Sequence, residues 1–173
     1  MATTYVILSF EGPDVYSRAG GLGVRAAELS QALAARGNET HLYFVGDPSL
    51  PSVERPQANL TWHRWCQWVS HYHPGGVYDG EWGKVEDFRR SVPPHVLHAH
   101  LKPGYMRGDT LVVLAEEWQT AEACIALRSL SDPAGGGRAL ALLWNSNNVY
   151  GVYSHAWPRL NTSARIPPLS RRL

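Results

Sequence analysis

The sequence of 173 residues is 44% hydrophobic and 18% charged and carries seven tryptophans, a composition that excludes a disordered or fibrous chain and fits one folded domain. Sixteen Lys and Arg against fifteen Asp and Glu leave a formal charge of +1, so no global field draws nucleic acid or an anionic membrane. No apolar run approaches the roughly 20 residues of a membrane span, and the opening MATTY lacks the basic and apolar regions of a signal peptide. Cys66 and Cys124 form neither a C-x-x-C pair nor a disulfide framework, which points to a reducing, cytoplasmic setting. The sequons at Asn38, Asn59 and Asn161 are then chance matches.

Residues 5–10 (YVILSF) are a continuous apolar run of β-formers, the pattern of a strand buried on both faces. A loop over 11–21 follows. Leu22, Ala26, Leu29 and Leu33 step by four, three and four, so they share one face of a helix that Gly37 and Asn38 end. Residues 41–45 (HLYFV) make a second strand and close a β-α-β unit of the length a right-handed crossover requires. Between 47 and 108 prolines cut the pattern into short pieces, and only helical segments over 81–90 and 94–101 are predicted. Residues 110–115 (TLVVLA) form the next strand, followed by a helix over 117–130 with Trp118, Ala121 and Ile125 on one face. A last strand over 139–144 (ALALLW) runs into the polar loop 145–148 (NSNN). Strands alternating with helices predict an α/β fold with a mostly parallel sheet. The four strands counted fall short of the about six of a Rossmann-like sheet. Residues 162–173 (TSARIPPLSRRL) have neither period and are expected to be an irregular tail, a truncation point after a domain spanning 1–161.

The chemistry centres on residues 17–23 (SRAGGLG), a glycine-rich turn between strand and helix. Such a turn lets backbone approach a ligand and aims the N–H groups of a helix N-terminus at an anion. Gly20, Gly21 and Gly23 are placed for both, and Arg18 adds a positive charge for phosphate. A purely structural role, a tight connection and close helix packing, is the plain alternative. Residues 21–26 (GLGVRA) also fit G-x-G-x-x-A, a dinucleotide fingerprint with Asp47 beyond the second strand. That fingerprint begins directly after its strand, whereas residues 11–20 intervene here.

The lead-in loop and turn together, EGPDVYSRAGGLG followed by VRAAELSQALAARGNETHL, resemble the N-terminal domain of the GT-B fold retaining glycosyltransferases, the group that includes glycogen and starch synthases. The resemblance implies one half of a GT-B fold, with sugar transferred from a nucleotide-diphosphate sugar to a carbohydrate acceptor. In the synthase branch the turn reads K-x-G-G-L and its lysine contacts the donor diphosphate; Arg18 stands at that position, and the backbone at Gly20, Gly21 and Gly23 would lie near the sugar and phosphates. Residues 112–121 (VVLAEEWQTA) are similar to the family's V-V-H-A-H-D-W-x-T-A. Trp118, Thr120 and Ala121 match, but Leu114 and Glu116 replace histidines and Glu117 replaces the aspartate. Glu116 and Glu117 are the candidate catalytic residues. Residues 98–101 (HAHL) look like the missing H-A-H, yet no Asp-Trp follows and no strand carries them. Asn145, Asn147 and Asn148 occupy the place of the family's T-x-H-N and are assigned, with Tyr78, Asp79, Glu81 and Trp118, to acceptor or sugar hydroxyls.

Trp62, Trp65, Trp68, Tyr72, Tyr78 and Trp82 could form a stacking surface for sugar, although aromatics so spaced are more often core. His63, Cys66, His71 and His73 match no closed zinc set, and neither metal nor resident cofactor is expected; the nucleotide sugar is a co-substrate. The resemblance implies a second domain carrying most nucleotide contacts, with a separately encoded C-terminal half as the expected partner, without which the chain is expected to be nearly inactive. Two other classes are open, a non-catalytic carbohydrate- or partner-binding module and a dinucleotide-binding oxidoreductase fragment.

Overall fold

The computed structural model describes residues 2–133 and 136–146. Six strands lie in one sheet: β1 (Thr3–Leu8), β2 (Glu39–Val45), β3 (Val53–Gln57), β4 (Leu60–Trp65), β5 (Thr110–Glu116) and β6 (Leu140–Asn145), in the order β3-β4-β2-β1-β5-β6. All neighbours pair in parallel except β3, which runs antiparallel to β4 at the edge. The helices are α1 (Gly21–Ala35), α2 (Gln67–His71), α3 (Glu81–Val96), α4 (Lys102–Arg107) and α5 (Ala121–Ser131). This is a Rossmann-like α/β fold, as the alternation of elements implies. The assigned tail 162–173 and domain limit lie outside the described residues.

The sheet separates two cores. On one face α1 packs through Ala26, Leu29 and Leu33 against Ile7, Leu42 and Phe44. On the other, Phe88, Val92 and Val96 of α3 and Ala123, Cys124 and Leu127 of α5 pack against Val6, Leu8, Tyr43 and Val113. Cys66 and Cys124 are buried and free. No described helix is long and apolar enough to cross a membrane.

Two strands, β3 and β4, occupy the stretch in which only helices are predicted. In β4 (LTWHRW) polar groups are buried alongside apolar ones, with His63 stacked on Tyr43 on one face and Arg64 over the Phe44 ring on the other, so no period of two shows in hydrophobicity. β3 (VERPQ) is exposed throughout and holds a proline, an edge strand with no apolar signature. The two helical segments of 81–101 are a single helix, α3, that carries Pro93 and Pro94 within it and passes into a π-helical turn, Leu97–Leu101. The helix expected over 117–130 starts later: Glu117 is not helical, Trp118–Thr120 is a 3-10 turn, and α5 follows.

One buried ion pair ties the lead-in loop to this sheet. The Arg64 guanidinium donates from Nε and Nη2 to the two oxygens of Asp14, each at 2.9 Å, and from Nη1 to the Pro51 carbonyl. Both side chains are 3% exposed. Removing one member of such a pair strands the other in a low-dielectric setting, which typically costs about 3–5 kcal/mol. Glu54, at 2.6 Å from Nη2, retains part of the compensation. The expected outcome for Asp14→Ala is a loss of about 3 kcal/mol, read as a lower urea midpoint at unchanged slope.

Candidate functional site

The strand order runs outward from β1 in both directions, to β2 and β4 on one side and to β5 and β6 on the other. In open α/β sheets a crevice forms at the carboxyl ends of the strands where the order reverses, here between β1 and β5. The loop after β1 enters the glycine turn there, β5 ends at Glu116, and β6 ends at Asn145. Arg18, Gly20, Gly21, Gly23, Glu116, Glu117 and Asn145 are therefore gathered along one edge of the sheet.

The anion seat at the head of α1 is already filled from within. The carboxylate of Glu11, 4% exposed, accepts backbone N–H groups through Oε2 from Ala19 at 3.3 Å, Gly20 at 2.9 Å and Gly23 at 3.1 Å. Its Oε1 accepts the hydroxyl of Tyr78 at 2.7 Å. The glycine N–H groups expected to face a ligand phosphate thus hold a resident carboxylate, in keeping with the positive end of the helix dipole. Close approach dictates Gly23: a Cβ there would lie 2.8 Å from the Gly12 carbonyl oxygen. Sequence reasoning passed over Glu11, whose one signal is its place as the acid that begins the lead-in loop.

Beside the turn lies a pocket of about 370 Å³ lined by residues 15–19 and 74–78, among them Tyr16, Arg18, Gly75, Gly76 and Tyr78. The Arg18 guanidinium donates to the Pro13 carbonyl at 2.8 Å and borders this space. The far wall is organised by Lys84, fully buried, whose ammonium donates to the Tyr16 hydroxyl at 2.7 Å and to the carbonyls of Gly76, Val77 and Asp79 at 2.8, 3.2 and 2.5 Å. Asp79 itself turns outward and accepts from the Gly75 N–H at 3.0 Å, which, together with His73, holds its carboxyl below the usual range.

Glu116 is held on both sides, by Arg25 of α1 at 3.2 Å and by the Asn145 amide, which donates to Oε2 at 2.8 Å. Burial nonetheless pushes its carboxyl above the ordinary value, against the pull of Asn145 and Arg25, and the neighbouring charge of Glu117 adds to the rise. Glu117 sits at φ 65°, ψ 171°, a region nearly reserved for glycine and costing of order 1–3 kcal/mol. Its carbonyl accepts from the Trp144 indole at 2.8 Å and the Thr120 hydroxyl at 2.9 Å, and its N–H donates to the Asn145 carbonyl at 2.8 Å. These bonds over-determine a strained backbone at the mouth of the crevice, where such strain commonly accompanies function. Gln119 donates to Glu81 at 3.0 Å, and the Trp118 ring lies 5.4 Å from that of Trp82. Tyr78 joins these groups: burial, the Glu11 hydrogen bond and the charges of Glu11, Glu81 and Glu117 all push its hydroxyl up.

The sequence-assigned residues thus meet in part. Tyr78 bonds Glu11 and lies in the field of Glu81 and Glu117, Trp118 meets Trp82, Asp79 faces away, and Asn147 and Asn148 lie outside the described residues. The supposed aromatic surface is dispersed. Trp62 packs against the α1 core, Trp65 against the opposite core, Trp68 and Tyr72 pair in solvent, and Trp82 meets Trp118. Alternation along β4 sends Trp62 and Trp65 to opposite faces, which no linear spacing of aromatics reveals.

No family model and no curated protein matches the chain. Among solved structures it is similar to the catalytic domain of starch synthase IV from Arabidopsis thaliana, bound to ADP and acarbose, at 16% identity and TM-score 0.62, covering 86% of this chain and 34% of that one. A second similar structure is α,α-trehalose 6-phosphate synthase from Burkholderia multivorans, at 14% identity and TM-score 0.46, covering 94% of this chain and 37% of that one. The chain spans about a third of the length of these proteins. At such identity the starch synthase likeness is one of fold alone.

Two outcomes follow from the geometry. Glu11→Gln is expected to cost about 2 kcal/mol and Tyr78→Phe about 1 kcal/mol, with the double variant losing less than the sum because both remove one shared bond; urea denaturation of the full cycle measures it. For Glu116, a carboxyl whose native pKa is raised binds its proton more tightly folded than unfolded, so stability drains away as pH climbs past the ordinary value of 4.5. Glu116→Gln removes that titration, and its stability relative to the parent chain should improve between acid and neutral pH, as read from thermal midpoints across the range.

Proposed function

We propose that this chain carries the acceptor-side half-site of a retaining glycosyltransferase that moves a sugar from a nucleotide-diphosphate donor to a carbohydrate acceptor. The observation that carries it is the gathering of the glycine turn, Arg18, Glu117 and Asn145 at the β1/β5 crevice. In the proposed arrangement Arg18 offsets the charge of the leaving diphosphate, the service that phosphate-binding cations perform in such transfers. Glu81 and Glu117 offer carboxylate oxygens to sugar hydroxyls, Glu11 holds the turn from within, and Glu116, fixed by Arg25 and Asn145, orients the end of β5. A carboxylate pair acting as acid and base, as in hydrolases, is not part of the scheme. Asn147 and Asn148 are proposed sugar contacts on sequence resemblance alone.

The first domain is taken as residues 1–161, and the scheme calls for a companion domain that binds the donor nucleotide. Since the chain spans about a third of the starch synthase catalytic domain, turnover is expected only when that domain is supplied. The buried free cysteines support a reducing, cytoplasmic setting.

A non-catalytic carbohydrate-binding role is favoured by one observation, the exposed Trp82 ring beside Trp118 next to Glu81, a stacking face with a hydrogen-bonding edge. Carbohydrate binding by the isolated chain is expected of both, so supply of a donor-binding domain separates them. Release of nucleotide diphosphate from ADP-glucose or UDP-glucose in its presence, lowered about tenfold in Arg18→Ala, is the expected result, equal to about 1.4 kcal/mol. Maltooligosaccharide binding that Trp82→Ala abolishes, with no turnover when a donor-binding domain is supplied, overturns it in favour of the binding module. Thermal protection by NAD in place of either returns the chain to the oxidoreductase class.

A further inference from the structure

At the opposite edge of the sheet, three histidines meet. His41 lies near the start of β2, His63 stands on β4 directly across from Tyr43, and His100 is delivered by the π-helical turn that follows α3. His41 Nδ1 and His63 Nε2 are 3.1 Å apart, the His41 and His100 rings have centroids 4.0 Å apart, and one ring nitrogen from each of the three lies within 4.8 Å of the others. In sequence these residues are too widely separated to suggest a site. His63, grouped there with Cys66, His71 and His73, in fact joins two partners from other elements. His100, set aside with His98 as off-strand, is not merely solvated: its Nε2 is 2.7 Å from the Tyr43 hydroxyl.

We propose that His41, His63 and His100 form a site for one zinc-class divalent ion, with Glu39 as its outer-sphere carboxylate. Tetrahedral zinc with nitrogen ligands at about 2.0–2.1 Å sets ligand atoms about 3.4 Å apart; the His41–His63 pair, at 3.1 Å, stands close to that spacing, and the His100 nitrogen, within 4.8 Å, closes on them. Glu39 Oε1 is 3.3 Å from His41 Nε2. A proton held there by Glu39 leaves the Nδ1 lone pair aimed inward, the carboxylate–histidine arrangement that orients metal ligands. An all-imidazole donor set selects zinc, copper, nickel or cobalt over magnesium and calcium. Metal binds the neutral imidazole, the form that burial favours for all three rings. A pocket of about 280 Å³ bordered by Glu39, His41, His100 and Arg107 gives access for the ion and room for a fourth, water ligand. Because the cluster lies at the amino ends of the strands, away from the glycine turn, the ion would clamp β2, β4 and the π turn rather than take part in sugar chemistry.

The test is titration of the chelator-stripped chain with Zn²⁺, against a chromophoric chelator and with thermal unfolding in parallel, and with Co²⁺ for its visible bands. Expected are one Zn²⁺ per chain, a raised melting temperature that Mg²⁺ does not reproduce, and intense tetrahedral Co²⁺ bands. His63→Gln and His100→Gln should abolish these, and the exposed Glu39→Gln, which leaves the core intact, should weaken binding by about 10-fold or more. Circular dichroism of each variant establishes that it is folded. Zinc binding of unchanged affinity in Glu39→Gln and in folded His100→Gln, or Co²⁺ bands absent from the parent chain, overturns the site.

Discussion

A single carboxylate sets the geometry of the crevice. By placing Glu11 on the N–H groups at the head of α1, the chain satisfies donors that the helix itself cannot and neutralises the positive end of its dipole from within. The same side chain reaches Tyr78, so the turn after β1 and the loop before α3, distant in sequence, are fixed to each other through one group. Glycine at 23 follows from this, since the backbone must come close enough to Glu11 and Gly12 to leave no room for a side chain. Everything proposed for a donor phosphate therefore falls to Arg18 and the pocket it borders rather than to the helix terminus.

The crevice is also a place where several costs coincide. Glu117 adopts a backbone conformation that L-residues avoid, Glu116 holds a carboxyl that burial pushes above its ordinary value, and Tyr78 lies in the field of three acids. Between the carboxyl edge and the histidine cluster the sheet is ordinary packing, with β2 and β1 at its centre. Local compromise concentrated on a rigid scaffold is the usual signature of a working surface.

Much of the scaffold was readable before any coordinates. β1, β2 and β5 are apolar runs because both their faces are largely covered, β6 because Leu140, Leu142 and Trp144 bury one face, and α1 shows its period because one side faces water. β4 escaped notice for the complementary reason: its buried positions include His63 and Arg64, stabilised by Tyr43 and Asp14 from elsewhere in the chain, and long-range partners leave no local trace. Of the site, the glycine turn and the carboxylates ending β5 were visible as motifs. The strain at Glu117 was not, since nothing about glutamate announces a positive φ; nor was the meeting of His41, His63 and His100, which exists only after β2, β4 and the π turn are assembled.

The ammonium of Lys84 has one further implication. Three of its four partners are main-chain carbonyls, which every residue type possesses. The course of residues 76–79 along the pocket wall is thus held by a buried side chain through atoms that no substitution removes. Gly76, at φ 108°, and Val77, buried in the core, carry constraints of their own, so the wall is fixed twice over. A lysine that reads backbone instead of carboxylates makes this loop a rigid frame beside the glycine turn.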